Sequence, residues 1–368
     1  MSLISKLKRL IKKILRYRSH EVDRHNLQDL LSLVDGKKHP NINDLWWVIK
    51  DIDAIKLNSK NFGYELAKRL AADLRLVGVP AEPGLHKLVS KPTTQNDVES
   101  PWFAYWCNEL KVSPIYHRKL WEFAFFLQVL HEHGIFEKEG VRGVGFGCGQ
   151  EPLASYFASK NIAVTVTDLE PEKVAGLGWT DTAQHTSTLE MAFYPDLVSR
   201  EKFEKYVSHK FADMNDIPVD LGMNLDFCWS ICAFEHLGSI EKGLAFVENS
   251  LKVLKPGGIA IHTTEYNYLS EERTIDDWPT VLFLKKHFQE LATRLSSKGH
   301  RMLGPDFDVG SGVLDRFIDV PPYAVGDGGW FNFSADQWGD SNQAGHLKLT
   351  VDGFPCTCFA VVVVKGEA

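Results

Sequence analysis

No apolar run in the sequence is long enough to cross a membrane; the longest toward its end, residues 359–364, has the length of a strand. The six cysteines (Cys107, Cys148, Cys228, Cys232, Cys356 and Cys358) form no Cys-x-x-Cys pair. That removes the usual spacing of a zinc ribbon or redox disulfide and leaves free thiols in a reducing compartment as the expectation. No secretory leader is expected, because charge interrupts the apolar positions of the first residues. Neither a Gly-x-Ser-x-Gly elbow nor a His-Glu-x-x-His helix occurs, so neither a hydrolase nucleophile nor a metalloprotease site is indicated. Positive charge is in deficit: the net charge is −7, where a nucleic-acid binder normally presents a basic surface. A cytoplasmic protein without a nucleic-acid partner is expected.

What is present is ordinary for a globular protein: 368 residues, 44% hydrophobic and 24% charged, enough for a main domain with an appendage. Residues 1–18 hold seven of the 41 Lys and Arg and no acid, so the remaining chain carries −14. Leu3, Leu7, Leu10, Ile11 and Ile14 recur at helical spacing, with the lysines and arginines largely on other faces. A basic amphipathic helix of this kind suits the inner membrane surface or an acidic partner, and equally a solvated helix packed on its own domain. Residues 19–114 read as a helical cap region without a catalytic constellation, interrupted by turn signals at residues 38–41 and 80–84.

From residue 115 to 368 the pattern becomes that of one α/β domain. After an aromatic-rich helix (HRKLWEFAFFLQVLHEHG), strands VRGVGFG, AVTVTD, KYVSHKFAD, LDFCWSI and IAIHTT are separated by helices. EPLASYFASK starts a helix with Pro152 in its first turn. SIEKGLAFVENSLKVL has Ser239 at the N-cap and ends at Pro256-Gly257-Gly258. Residues 278–298 read as a helix stopped by Gly299, and HLKLTVDG with TCFAVVVVKG as a closing hairpin. Such alternation predicts a doubly wound, mostly parallel sheet with helices on both faces.

The chemistry concentrates at Gly143-Val-Gly-Phe-Gly-Cys-Gly-Gln-Glu-Pro152, where a strand meets a helix. Glycines there let the backbone approach a ligand, and the following helix N-terminus favours negative charge. Asp168 ends the next strand 19 residues after Gly149, the spacing of a carboxylate that accepts ribose hydroxyls. A dinucleotide would need Gly-x-Gly-x-x-Gly. Counted from Gly143, Gly145 or Gly147, its third glycine falls on Cys148, Gln150 or Pro152, so no frame completes it.

The turn instead resembles the first motif of class I S-adenosylmethionine-dependent methyltransferases, acid-x-Gly-x-Gly-x-Gly. Gly145 stands where that family has its acid and Glu151 where it has its third glycine. Glu151 is then either a replacement partner for the cofactor's ammonium or a first-turn residue complementing the helix dipole. Phe211-Ala-Asp213-Met214 resembles the segment whose acid bonds the adenine amino group. Leu225 to His236 resembles the fourth strand and its loop, and Leu254-Lys-Pro-Gly-Gly258 the turn before the fifth. The resemblance spans residues 115–265 and implies a seven-stranded Rossmann-like sheet. It also implies a cofactor set of Gly145, Gly147, Cys148, Gly149, Glu151, Asp168, Leu169, Asp213, Met214 and Ser230, with S-adenosylmethionine bound. YHRKLWEF, GFGCGQEPLASYFA, TTEYN and HLKLTVDGF further look like a bacterial group associated with polysaccharide biosynthesis.

A methyltransferase mainly aligns donor and acceptor, and deprotonates a hydroxyl acceptor where needed. His236 after the fourth strand, Glu265 after Ile261-His-Thr-Thr and the neighbouring Glu235 are the candidates for that step. Each has a structural alternative as a loop-fixing or solvated residue. His185, His236, His262 and Glu265 lack the spacing of a metal set, and no metal is expected. Arg118 is a candidate for the cofactor's carboxylate. Trp330, Phe331, Phe333 and Trp338 are packing aromatics or a platform for a sugar ring. The expected activity is O-methylation of a sugar or glycan precursor. The alternatives are methylation of another small molecule, a lipid or a protein, and a non-catalytic cofactor-binding module.

Overall fold

A computed structural model describes residues 39, 50–76, 78–171, 188–321 and 345–367. The basic helix expected at residues 1–18, His185 and the aromatics at Trp330 to Trp338 lie outside the described residues. Residues 1–59 and 60–368 form two compact units. No described helix is long and apolar enough to cross a membrane.

The second unit is built on one sheet. Its principal strands are β1 (Arg142–Gly145), β2 (Ala163–Asp168), β3 (Val207–Phe211), β4 (Leu225–Ile231), β5 (Leu254–Asn267), β6 (Lys348–Val351) and β7 (Phe354–Val364). They lie in the order β3-β2-β1-β4-β5-β7-β6. The first five are parallel, and β7 is antiparallel to both β5 and β6. This is the doubly wound, mostly parallel sheet expected from the alternation. Order reverses between β1 and β4, the switch point at which the carboxyl ends of parallel strands leave a crevice.

Besides the single turn Gln95–Val98, seven helices of the described residues flank or precede the sheet: α1 (Ile52–Leu74), α2 (Pro101–Glu109), α3 (Arg118–Glu132), α4 (Leu153–Ser159), α5 (Arg200–Tyr206), α6 (Ile240–Ser250) and α7 (Lys285–Ser297). The period-2 alternation of the strands sorts the core into two layers. Phe227, Trp229 and Ile231 of β4 pack with the buried apolar residues of α2, α3 and α4. Cys228 of the same strand joins Leu244, Val247, Phe288 and Leu291 of α6 and α7 on the other side. Helix α3 is buried nearly throughout, including Glu122 and Gln128, because α2 covers the side that the sheet does not. His117 caps it by accepting a bond from Lys119 N at 3.1 Å, and Ser239 caps α6 from Lys242 N at 3.2 Å.

Three expected elements differ. Among the described residues between 50 and 100, only α1 and a short turn of helix, Gln95–Val98, are helical. Pro80 and Pro83 withhold backbone donors from the segment between them. The helix expected over residues 278–298 begins only at Lys285, because Val281 and Phe283 donate their N–H groups to Glu235 O and Glu265 O instead. Pro256-Gly257-Gly258 does not precede the fifth strand but lies inside it, with Gly257 at φ +74° and a register shift against β4. A glycine is needed for that irregularity.

Candidate functional site

At the carboxyl ends of β1, β2, β4 and β5 lies a cavity of about 370 Å³, within the size range of small-molecule sites. Its first wall is the turn after β1. Phe146 N donates to Trp229 O at 2.8 Å and Cys148 N to Thr167 O at 3.0 Å, which pins the turn between β2 and β4. Gly147 has φ +57°, and a Cβ there would stand 2.9 Å from Ala233 Cβ and 3.3 Å from Met214 Sδ. Only glycine lets the chain pass so close. Asp168 ends β2 on the second wall. Its carboxylate accepts bonds from Leu169 N (2.8 Å) and Gly149 N (3.3 Å), so the acid and the turn orient each other. Asp213 and Met214 follow β3, held by Ala212 N donating to Asp168 O at 2.9 Å. Gly147, Cys148, Gly149, Glu151, Asp168, Leu169, Asp213 and Met214 all line the cavity.

Two residues of the expected cofactor set do not. Gly145 lies behind the turn, where a Cβ would meet Cys148 Sγ at 2.3 Å and the Trp229 ring at 2.4 Å. No acid fits at this position, because the Trp229 indole occupies its space. Trp229 Nε1 donates to Glu151 Oε2 at 3.0 Å, and Glu151, 4% exposed, brings a carboxyl group into the cavity wall from the next turn. Burial holds it well above the usual carboxylate range, against the Trp229 bond. Ser230 points to the opposite face of β4 and meets His262 Nδ1 at 2.9 Å. His262 is fully buried, with Nε2 3.0 Å from Ser250 Oγ, and burial lowers its pKa to about 3. It stands apart from His236 and Glu265, so the three do not form a common ligand set.

The sign of that histidine's effect on stability follows. The unfolded chain takes up a proton below about 6.5 and the folded chain only near 3. Stability is therefore complete above pH 6.5 and falls on acidification through the window between the two values, by on the order of 1.4 kcal/mol for each pH unit crossed. In His262→Gln, urea midpoints are expected to depend less steeply on pH between 6.5 and 4 than in the parent; equal slopes would refute this account.

The third wall carries the ionisable groups. His236 and Glu235 lie on a short 3₁₀ turn, Phe234–His236, and Glu265 on β5. All three reach the cavity. His236 Nδ1 lies 3.1 Å from both Pro279 O and Thr280 Oγ1. Burial lowers its pKa. Glu235 is 1% exposed and accepts from Thr264 Oγ1 at 3.1 Å. Burial pushes its pKa up to about 7.

Of the residues that α3 contributes, the sequence singled out Arg118 but not Lys119 or Glu122. Arg118 Nη1 stands 2.6 Å from Glu265 Oε1 and donates to Cys232 Sγ at 3.5 Å. Lys119 Nζ is 3.5 Å from Glu122 Oε2. That oxygen also accepts from Thr263 Oγ1 (2.5 Å) and Cys232 Sγ (3.1 Å). Arg118 and Lys119 both line the cavity. Cys232, Glu235 and Glu265 bring three ligand atoms within 4.8 Å of one another. The Arg118 guanidinium, bonded to two of these groups, supplies the positive charge there.

No family model matches the sequence, and no curated protein matches it. Among solved structures, a proposed sarcosine dimethylglycine methyltransferase from Galdieria sulphuraria is 12% identical, with a TM-score of 0.39, over 82% of this chain and 98% of that one. An S-adenosylmethionine-dependent methyltransferase from Clostridium acetobutylicum is 11% identical over 72% and 98%, with a TM-score of 0.38. One from Methanosarcina mazei is 14% identical over 65% and 98%, with a TM-score of 0.35.

Proposed function

We propose that this chain is an S-adenosylmethionine-dependent methyltransferase that O-methylates a hydroxyl of a sugar or glycan precursor. The observation that supports it is one cavity in which a glycine turn, the Asp168 carboxylate and the Asp213–Met214 segment line the end of three adjacent parallel strands. A pyrophosphate-bearing dinucleotide would want the incomplete glycine fingerprint; a ligand with one ribose, one purine and an amino-acid end suits the groups present.

The residues divide the work by position. Asp168, oriented by two backbone N–H groups, accepts the ribose hydroxyls. Asp213 accepts the purine amino group beside Met214. Gly147 and Gly149 let the backbone close on the amino-acid end. Glu151 takes the place of the acid that Trp229 excludes from position 145, while Arg118, the sequence candidate for the cofactor's carboxylate, is paired with Glu265 instead. The bound donor supplies a methyl group activated by a sulfonium. Methyl transfer then depends on holding the acceptor oxygen in line and receiving its proton. Glu235, Glu265 and His236 stand where that oxygen would arrive.

A second reading, a non-catalytic binding module, is favoured by the missing acid at Gly145. Acceptors other than glycans, including lipid-linked ones that the basic residues 1–18 would suit, fit the same cavity. Calorimetric titration is the test. S-adenosylhomocysteine is expected to bind one per chain, and NAD⁺ and FAD not to bind; the opposite preference overturns the proposal. Methyl release from labelled donor over a panel of glycosides, lipids and proteins then separates enzyme from module and fixes the acceptor class.

A further inference from the structure

We infer that Glu235 is the residue that takes the acceptor's proton, and that the acceptor end of the cavity is built for a neutral hydroxyl compound. The inference rests on the methyltransferase reading above and goes beyond it in choosing the base and the charge of the acceptor.

The geometry begins with a surplus of acid. Glu235, Glu265 and Glu122 converge around Cys232, and Arg118 and Lys119 are the cations facing them. Arg118 is engaged by Glu265 at 2.6 Å, and Lys119 by Glu122 at 3.5 Å. Each cation thus has its own carboxylate. Glu235 is the third acid, held by the neutral Thr264 hydroxyl. Two carboxylates sharing a buried site cannot both ionise at ordinary cost. Burial raises both carboxyl groups, but Arg118 at 2.6 Å favours the charge on Glu265 while Glu235 has only a hydroxyl donor, so Glu235 is the member that exchanges its proton, in line with its rise to about 7.

Such a group is well matched to proton transfer near neutral pH, where a base works best with its pKa close to the working pH. His236 on the same turn is a weaker base, because burial lowers its affinity for a proton. It is assigned a positioning role: through Pro279 and Thr280 it fixes the turn that carries Glu235. In the step itself the acceptor O–H bond breaks and its proton passes to the ionised Glu235. The oxygen forms a bond to the methyl carbon, the carbon–sulfur bond breaks with its electron pair going to sulfur, and Glu235 later returns the proton to solvent. An anionic acceptor would bring a further negative charge beside carboxylates whose counter-cations are already engaged, which low dielectric penalises.

The test is a ¹³C NMR titration of protein labelled at the glutamate carboxyl carbon, with S-adenosylhomocysteine bound. One glutamate signal is expected to titrate close to pH 7, to vanish in Glu235→Gln and to persist in His236→Gln. A separate raised signal is expected from Glu151 and is recognised by its loss in Glu151→Gln; a signal near pH 7 that survives both Glu235→Gln and Glu151→Gln, or no glutamate other than Glu151 titrating above the usual carboxylate range, overturns the assignment. Should Glu235→Gln fail to fold, Glu235→Asp serves, with the signal expected to shift. In methyl transfer to neutral methyl glycosides, Glu235→Gln is expected to lose at least about 100-fold in turnover, with S-adenosylhomocysteine affinity unchanged within a few-fold. Turnover of the corresponding uronates at or above that of the glycosides, or of no neutral glycoside at all, overturns the acceptor class. If S-adenosylhomocysteine does not bind even the parent protein, it is the methyltransferase reading that fails.

Discussion

Asp168→Ala is expected to weaken S-adenosylhomocysteine binding by at least about 100-fold. The side chain is 7% exposed at the end of β2, and its carboxylate is aimed by Leu169 N and Gly149 N. Two charge-assisted bonds to vicinal ribose hydroxyls contribute about 1.5–3 kcal/mol each in a site shielded from water. Loss of both corresponds to two or more powers of ten in affinity. The substitution also leaves two backbone donors without that acceptor, so folding has to be followed separately by thermal unfolding. Asp226→Asn is the control: this acid sits at the amino end of β4, accepts from Arg142 N at 2.8 Å and pairs with Lys255. Loss of its charge is expected to lower stability and leave affinity alone. An Asp168→Ala protein that folds and binds within threefold of the parent would remove the ribose role.

Gly145→Asp restores the acid that the resembling family carries, and is expected to destabilise the chain by about 3 kcal/mol or more instead of improving binding. An added Cβ would lie 2.3 Å from Cys148 Sγ and 2.4 Å from two atoms of the Trp229 ring. Trp229 is fully buried, bonded to Glu151 and packed against Phe126 and Phe157, so it cannot step aside. Overpacking of this kind costs about 1–3 kcal/mol before the desolvated charge is counted. Denaturant midpoints measure the loss; Gly145→Ala is expected to move in the same direction by less. An unchanged midpoint for Gly145→Asp would mean that the indole yields, and Glu151 would lose its claim to be the displaced acid.

The same pair of residues marks where local patterns stop being informative. The departure at Gly145 is visible in the sequence as a missing acid, which on its own favours a module that has lost its chemistry. Its cause is Trp229, on a strand that meets β1 only in the folded sheet. Ser230 makes the complementary point. It belongs to a strand that passes the cavity, but alternation turns it toward His262 on the far face, while Ile231 and Cys232 line the cavity. His262 and Glu265 likewise lie three residues apart on β5 and end on opposite sides of the sheet.

From the sequence alone follow the parallel sheet, the glycine turn and the acids at Asp168 and Asp213, because these depend on backbone periodicity and on residues within one strand–turn–helix unit. The cavity wall formed by the ionisable groups depends instead on contacts between residues far apart in the chain. Glu122 and Thr263 are 141 residues apart, Glu122 and Cys232 are 110 apart, and no spacing rule connects them. Only burial of α3 between the sheet and α2 brings Arg118, Lys119 and Glu122 against Cys232, Glu235 and Glu265, and it is burial in that low-dielectric contact that raises the proton affinity of the Glu235 and Glu265 carboxyl groups.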